Sequence, residues 1–310
     1  MYISDGVCVR TVGNGSMCVP WSTAATMLLL FAAVLAIALV PLLVSSRRTP
    51  TASGAAARAN RHATLGSVTG ATLLVAVLCG FAFTSLFAPI VDDGRVVAVL
   101  PAVAGLCLVS AQVLTQVTWP RPTGALREAD LTRRSRADVV PVSAHRLLVA
   151  WGASLVVSLA VFARLAAGPR TVAGGTGVER LTWGPYPGLY YSVPVAVAAV
   201  VVVAATELAL RLVVLRPAVL GVSREWDLHL RRRSARHLVG GAQLALAVML
   251  TGMLVLAGLG HRSVGPVTLG SILLTAAAVV PLAALAAQLR VPRRQTWRAS
   301  VRSATEAAAP

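Results

Sequence analysis

A chain of 310 residues that is 56% hydrophobic and only 13% charged lacks the charge that a soluble domain of this size uses to cover its surface. Its net charge of +17 does not point to nucleic acid, because the basic residues stand between apolar blocks instead of forming one continuous face. All 28 basic residues are arginine; without lysine there is neither a Schiff base for a retinal-type pigment nor a P-loop, and such usage reads as that of a GC-rich bacterial genome.

The first 23 residues carry Cys8 and Cys18. The apolar block that follows, 24–44, precedes its arginine pair, Arg47-Arg48. A cleaved signal peptide has the reverse order, so the block is expected to be a retained span, with residues 1–23 outside the cell. A disulfide between Cys8 and Cys18 is chemically allowed there.

Further apolar blocks occupy 65–87, 96–117, 147–165, 190–215, 238–259 and 267–289, ahead of a basic tail, 290–310. Each is about 20 residues, the length a helix needs to cross a hydrocarbon core roughly 30 Å thick while satisfying its own backbone. The expected fold is therefore an all-α polytopic transmembrane bundle of seven spans.

The arginines sort these spans. Arg47, Arg48, Arg58 and Arg61 follow the first, and Arg121, Arg127, Arg133, Arg134, Arg136 and Arg146 follow the third. Arg216, Arg224, Arg231, Arg232, Arg233 and Arg236 follow the fifth, and the tail holds Arg290, Arg293, Arg294, Arg298 and Arg302. The intervening links are poor in arginine, so the positive-inside rule sets the N-terminus out and the C-terminus in. Trp21, Trp183, Tyr186, Tyr190 and Tyr191 mark outer ends of spans; Trp119, Trp226 and Trp297 fall just past inner ends, in the expected headgroup zone. These features indicate a multi-pass protein of the bacterial cytoplasmic membrane.

A weak repeat runs through the chain. Arg121-Pro122 and then Arg127-Glu128-Ala129-Asp130-Leu131 follow span three; Arg216-Pro217 and then Arg224-Glu225-Trp226-Asp227-Leu228 follow span five. Spans two-three, four-five and six-seven then read as three similarly oriented helical hairpins, with span one outside the repeat, an arrangement used by some transporters. The loop elements, with Arg127, Glu128, Asp130, Arg133 and Arg134 in one and Arg224, Glu225, Trp226, Asp227, Arg231, Arg232 and Arg233 in the other, read as interfacial segments held by anionic lipid of the cytoplasmic leaflet. A cytoplasmic ATPase or other subunit docking on them is the sharper alternative.

Glu207 is the acidic residue placed inside a span, about 14 Å from Arg216 along the helix. An intramembrane carboxylate is a functional candidate by default. Arg211 stands one turn on, in the favourable order for an ion pair, and the expected pair faces the bundle interior near spans three and seven. Aligning the hairpins sets Gln112 opposite Glu207, and Gln116 and Gln288 opposite Arg211. The alternative is an ion pair plus amides that glue helices together. No cofactor, metal or catalytic motif stands out, so an enzyme is not expected. Three functions compete: a transporter or permease-type component for a small molecule or ion, the membrane subunit of a larger complex such as an ATP-driven exporter, and a sensor or structural protein.

Reporter fusions test the topology. Alkaline phosphatase joined after Asp93 should be active, and a fluorescent protein at Pro310 should fluoresce; the reverse pattern would overturn the orientation.

Overall fold

The computed structural model describes residues 6–10, 16–20, 53–87, 94–120, 136–175, 181–219, 222–265 and 267–290. At the start of the chain, β1 (Gly6–Arg10) and β2 (Ser16–Pro20) pair antiparallel, with Cys8 directly opposite Cys18. Facing residues in such a ladder have α-carbons about 4.5–5.5 Å apart, within the span a disulfide bridges; the two side chains lie outside the described ones. The sequence between the strands, Thr11-Val12-Gly13-Asn14-Gly15, has the composition of a hairpin turn. The span expected over 24–44 also lies outside the described residues.

Helices make up nearly all the rest: α1 (Gly54–Phe87), α2 (Arg95–Val117), the single turn α3 (Arg136–Val139), α4 (Val142–Leu165), α5 (Leu189–Leu215), α6 (Arg224–Val264) and α7 (Val267–Arg290). A two-stranded ribbon, β3 (Val172–Gly174) with β4 (Leu181–Trp183), connects α4 to α5. Six of these helices are long and apolar enough to cross a membrane, matching the second to seventh expected spans. The chain is a multi-pass helical membrane protein.

Two helices correct the sequence reading. The block read as starting at residue 65 begins at Gly54. Ala56, Ala59 and Ala63 in those added turns are buried, the latter two against Trp119 and Leu230, so tertiary packing extends the helix beyond its apolar stretch. The block read as 238–259 is the middle of the 41-residue α6, about 61 Å long. The segment from Arg224 to His237, expected to lie along the membrane surface, is the continuous N-terminal third of that helix. The sequence signal is there in retrospect: the Ser223 hydroxyl accepts from the Trp226 N–H, and Glu225 and Asp227 fall in the first turn, an N-terminus complementary to the helix dipole.

α6 is the central helix. Its most apolar stretch is 67% buried, against 17–44% for the other five. It packs on α7, α2, α4, α5 and α1. The expected hairpins α1–α2, α4–α5 and α6–α7 are each packed pairs.

Glycines permit the closest crossings. A β-carbon at Gly66 of α1 would collide with the Thr115 side chain of α2, and one at Gly241 of α6 with Leu108 of α2. One at Gly105 of α2 would lie 2.8 Å from the Ala245 β-carbon of α6. Small residues at such points let backbones approach, which is the means of helix association in lipid. Since Thr115 is itself tied to the Ala111 carbonyl, Gly66→Ala should destabilise the α1–α2 pair by roughly 1–3 kcal/mol. The expected readout is a lower thermal aggregation midpoint in detergent, with Gly252→Ala, where nothing lies within 4 Å, as the neutral control.

Candidate functional site

The described residues that border the arginine-rich connections lie at one end of the bundle. The first turns of α1, α4 and α6 meet the last turns of α2 and α5 there, with α3 beside them. At the other end the β3–β4 ribbon docks on the last turns of α6.

Arg231 of α6 organises the basic end. Its guanidinium is fully buried. Nη1 donates to the carbonyls of Val213 and Val214 at 2.7 and 2.9 Å, and Nη2 donates to those of Arg216 and Pro217 at 2.7 and 3.4 Å. These lie at the C-terminal end of α5, where carbonyls lack intrahelical donors and carry the negative end of the helix dipole. Nε donates to Asp227 Oδ2 at 2.7 Å, one turn earlier. Arg216 is buried beside them, 3.8 Å from Asp227 Oδ1 and with its Cζ 3.9 Å from the centre of the Trp119 ring.

The neighbouring arginines reach the other helices. Arg233 donates to Asn60 Oδ1 and Thr64 Oγ1 of α1, both at 3.2 Å. Arg232 donates to the Asp138 carbonyl of α3 at 2.7 Å. Further along α6, Gln243 donates to the Ala144 carbonyl of α4 at 3.0 Å. Three residues assigned to a lipid or partner contact are thus corrected: Asp227, Arg231 and Arg233 are buried inside the protein, because α6 turns that face inward. Arg224, Glu225 and Arg232 are exposed, and Trp226 is half-buried. Trp119, just past the end of α2, is buried, edge-on to His62 at 5.7 Å. Arg127, Glu128, Asp130, Arg133 and Arg134 lie outside the described residues.

Glu207 is the second polar feature, and its expected partner is corrected. Arg136 of α3 donates Nη2–H to Glu207 Oε1 at 2.6 Å, and Nε2 of His145 on α4 lies 2.8 Å from the same oxygen. Among the described residues no bond joins Glu207 to Arg211. The reason is rotational. Val193, Val197, Val200, Val201, Leu208 and Leu215 form the exposed face of α5, and Arg211 lies on it. Glu207 stands at the flank of that face, toward α4, whose Gly152 abuts Val203 one turn before it. The carboxylate therefore meets donors from α3 and α4, not the interior near α2 and α7. Its side chain remains 25% exposed, with Arg136 at 39% and His145 at 31%.

The glutamines do not join this site. Gln112 is buried and donates to Ser67 Oγ of α1 at 3.4 Å. Gln116 is buried, and neither end of its amide has a hydrogen-bond partner among the described residues. Gln288 belongs to α7, with its side chain outside the described ones. Sequence reasoning missed Arg136 and His145 as Glu207 partners because they lie 71 and 62 residues away; only the α3–α4 corner brings them in.

At the opposite end Tyr186 is fully buried, and burial pushes its hydroxyl up to about 12. It lies 3.2 Å from His261 Nε2, to which it donates when the imidazole carries its proton on Nδ1. Among the described residues no group of three or more His, Cys, Asp or Glu is placed to hold a metal ion. Compared with protein families, curated proteins and solved structures, the chain matches none.

Removing the Arg231 guanidinium strands Asp227 and the α5 carbonyls together. Arg231→Ala should cost on the order of 3–5 kcal/mol, read as a collapse of monodisperse yield in detergent. Arg231→Lys should rescue little, because an ammonium lacks the planar fork that serves both Asp227 and the helix end. Wild-type yield from the alanine variant would sink the capping role.

Proposed function

We propose that the protein is a membrane transport component for a small molecule or ion, with its basic end in the cytoplasm. In this reading Glu207 and His145 form a proton-exchange site at the inner mouth of the bundle. The observation that carries it is the Glu207 carboxylate itself: within a spanning helix, bonded to a histidine and an arginine from two other elements, and partly open.

The chemistry follows from the partners. An imidazole can carry a proton on either ring nitrogen or on both. With His145 neutral and Nε2 protonated, its N–H donates to Glu207 and Nδ1 is left to accept a proton from water. Proton binding there makes a full ion pair. Protonation of Glu207 instead weakens its hold on Arg136, and with it the tie between α3 and α5. Proton occupancy would thus change how α3 is seated across α5 and α6.

The competing reading, the membrane subunit of an ATP-driven assembly, draws on the N-terminal extension of α6, whose Arg224, Glu225 and Arg232 point outward. Purification of the full chain without crosslinker, followed by reconstitution into vesicles with a trapped pH-sensitive dye, separates the two. The expected result is a solitary protein that dissipates an imposed proton gradient. Glu207→Gln should abolish the flux and His145→Asn should slow it, with folding checked by gel filtration. Flux no greater than in protein-free vesicles, together with a stoichiometric ATPase in the preparation, would favour the second reading.

A further inference from the structure

The exposed face of α5 combines two features that one kind of molecule matches. Val193, Val197, Val200, Val201, Leu208 and Leu215 make a broad apolar stripe. Arg211 interrupts it near its basic end, exposed and with no hydrogen bond or ion pair among the described residues. The distance from Val200 to Arg211 is about 16 Å along the helix, close to half of a core about 30 Å thick. A guanidinium facing lipid toward the edge of the hydrocarbon is best placed when it reaches a polar partner. Its long stem lets it bend toward the headgroups while the methylenes stay apolar.

We infer that Arg211 is a binding site for an anionic phospholipid of the leaflet at the basic end, with the lipid phosphate on the guanidinium and the acyl chains along the α5 stripe. Arg136 supports the site. It and Arg211 flank Glu207, one through its hydrogen bond and the other one turn along the helix. Two guanidiniums and one carboxylate leave one positive charge in surplus, more when His145 is protonated. A phosphodiester neutralises that surplus, and guanidinium suits it because its fork matches phosphate oxygens. A second copy of the chain fits less well. Its stripe would set Arg211 against its own symmetry mate, and Val and Leu side chains supply neither the small residues nor the amides by which helices associate in lipid. The inference stands independently of transport.

The test is native mass spectrometry of the purified full chain with added phosphatidylglycerol or phosphatidylcholine. Wild type should retain phosphatidylglycerol selectively. Arg211→Leu should bind it about fivefold more weakly, the value of one interfacial basic residue, and Arg211→Lys should restore most of the binding. Arg224→Gln, remote from the stripe, should leave it unchanged. Because leucine suits a lipid-facing position, Arg211→Leu should fold at least as well as wild type. Equal retention by Arg211→Leu, or retention of phosphatidylcholine as strongly as phosphatidylglycerol, would overturn the site. So would a loss of stability in Arg211→Leu, which would reveal an internal partner. A dimer that cross-links through Val201→Cys would make the stripe an interface between copies and equally overturn the proposal.

Discussion

One buried guanidinium holds the basic end together. A spanning helix that stops inside a packed bundle leaves its last carbonyls without donors, and low dielectric makes each of them expensive. α5 resolves this with Arg231, which binds carbonyls of Val213, Val214, Arg216 and Pro217 while its remaining edge meets Asp227. The arrangement forces the shape of α6. To deliver Arg231 to the end of α5, α6 has to continue as a helix well before its apolar stretch, from Arg224. Once that helix is built, positions 232 and 233 point elsewhere and tie to α3 and α1. A run of three arginines that would repel one another on a single face is tolerable because the helix turns each toward a different acceptor.

The two ends of the bundle are closed by different physics. The basic end is a network of charge and carbonyl groups, with the few apolar contacts of Ala59, Ala63, Trp119 and Leu230 beneath it. The other end is mostly ring and aliphatic packing. Tyr186 is edge-on to both Phe162 and His261, and Val172 and Val264 join the same buried core. A charge network admits alternative protonation states and hydration, whereas a packed aromatic corner changes by moving whole side chains.

The spans were legible because a membrane demands runs of about 20 apolar residues, a constraint local in sequence. Of the six long helices among the described residues, four (α2, α4, α5 and α7), together with the C-terminal part of α1, lie close to where the apolar runs place them. The helical extension of α6 was misread because alternation of Trp226, Leu228 and Leu230 with charge resembles an interfacial segment. Yet the Ser223 cap and the Asp227–Arg231 spacing are helix signals in the same stretch. Intramembrane Glu207 was visible as a lone acidic residue, but its partners were not. Pairs at i, i+3 and i, i+4 are what a single helix reveals, and pairing across loops depends on which helices become neighbours.

That local pair loses for a reason magnitudes make plain. Joining Arg211 to Glu207 would hold both charges at the level of the apolar stripe, where a charge is costly. Two charge-assisted hydrogen bonds to one carboxylate, from Arg136 and His145, are each worth about 1.5–3 kcal/mol. They also leave Arg211 to extend toward the headgroups. Separating the residues therefore gives each charge a better environment than the helix alone offers. The same step ties α5 to α3 and α4, so the solution that best solvates Glu207 also fixes the corner where the chain enters its fourth predicted span.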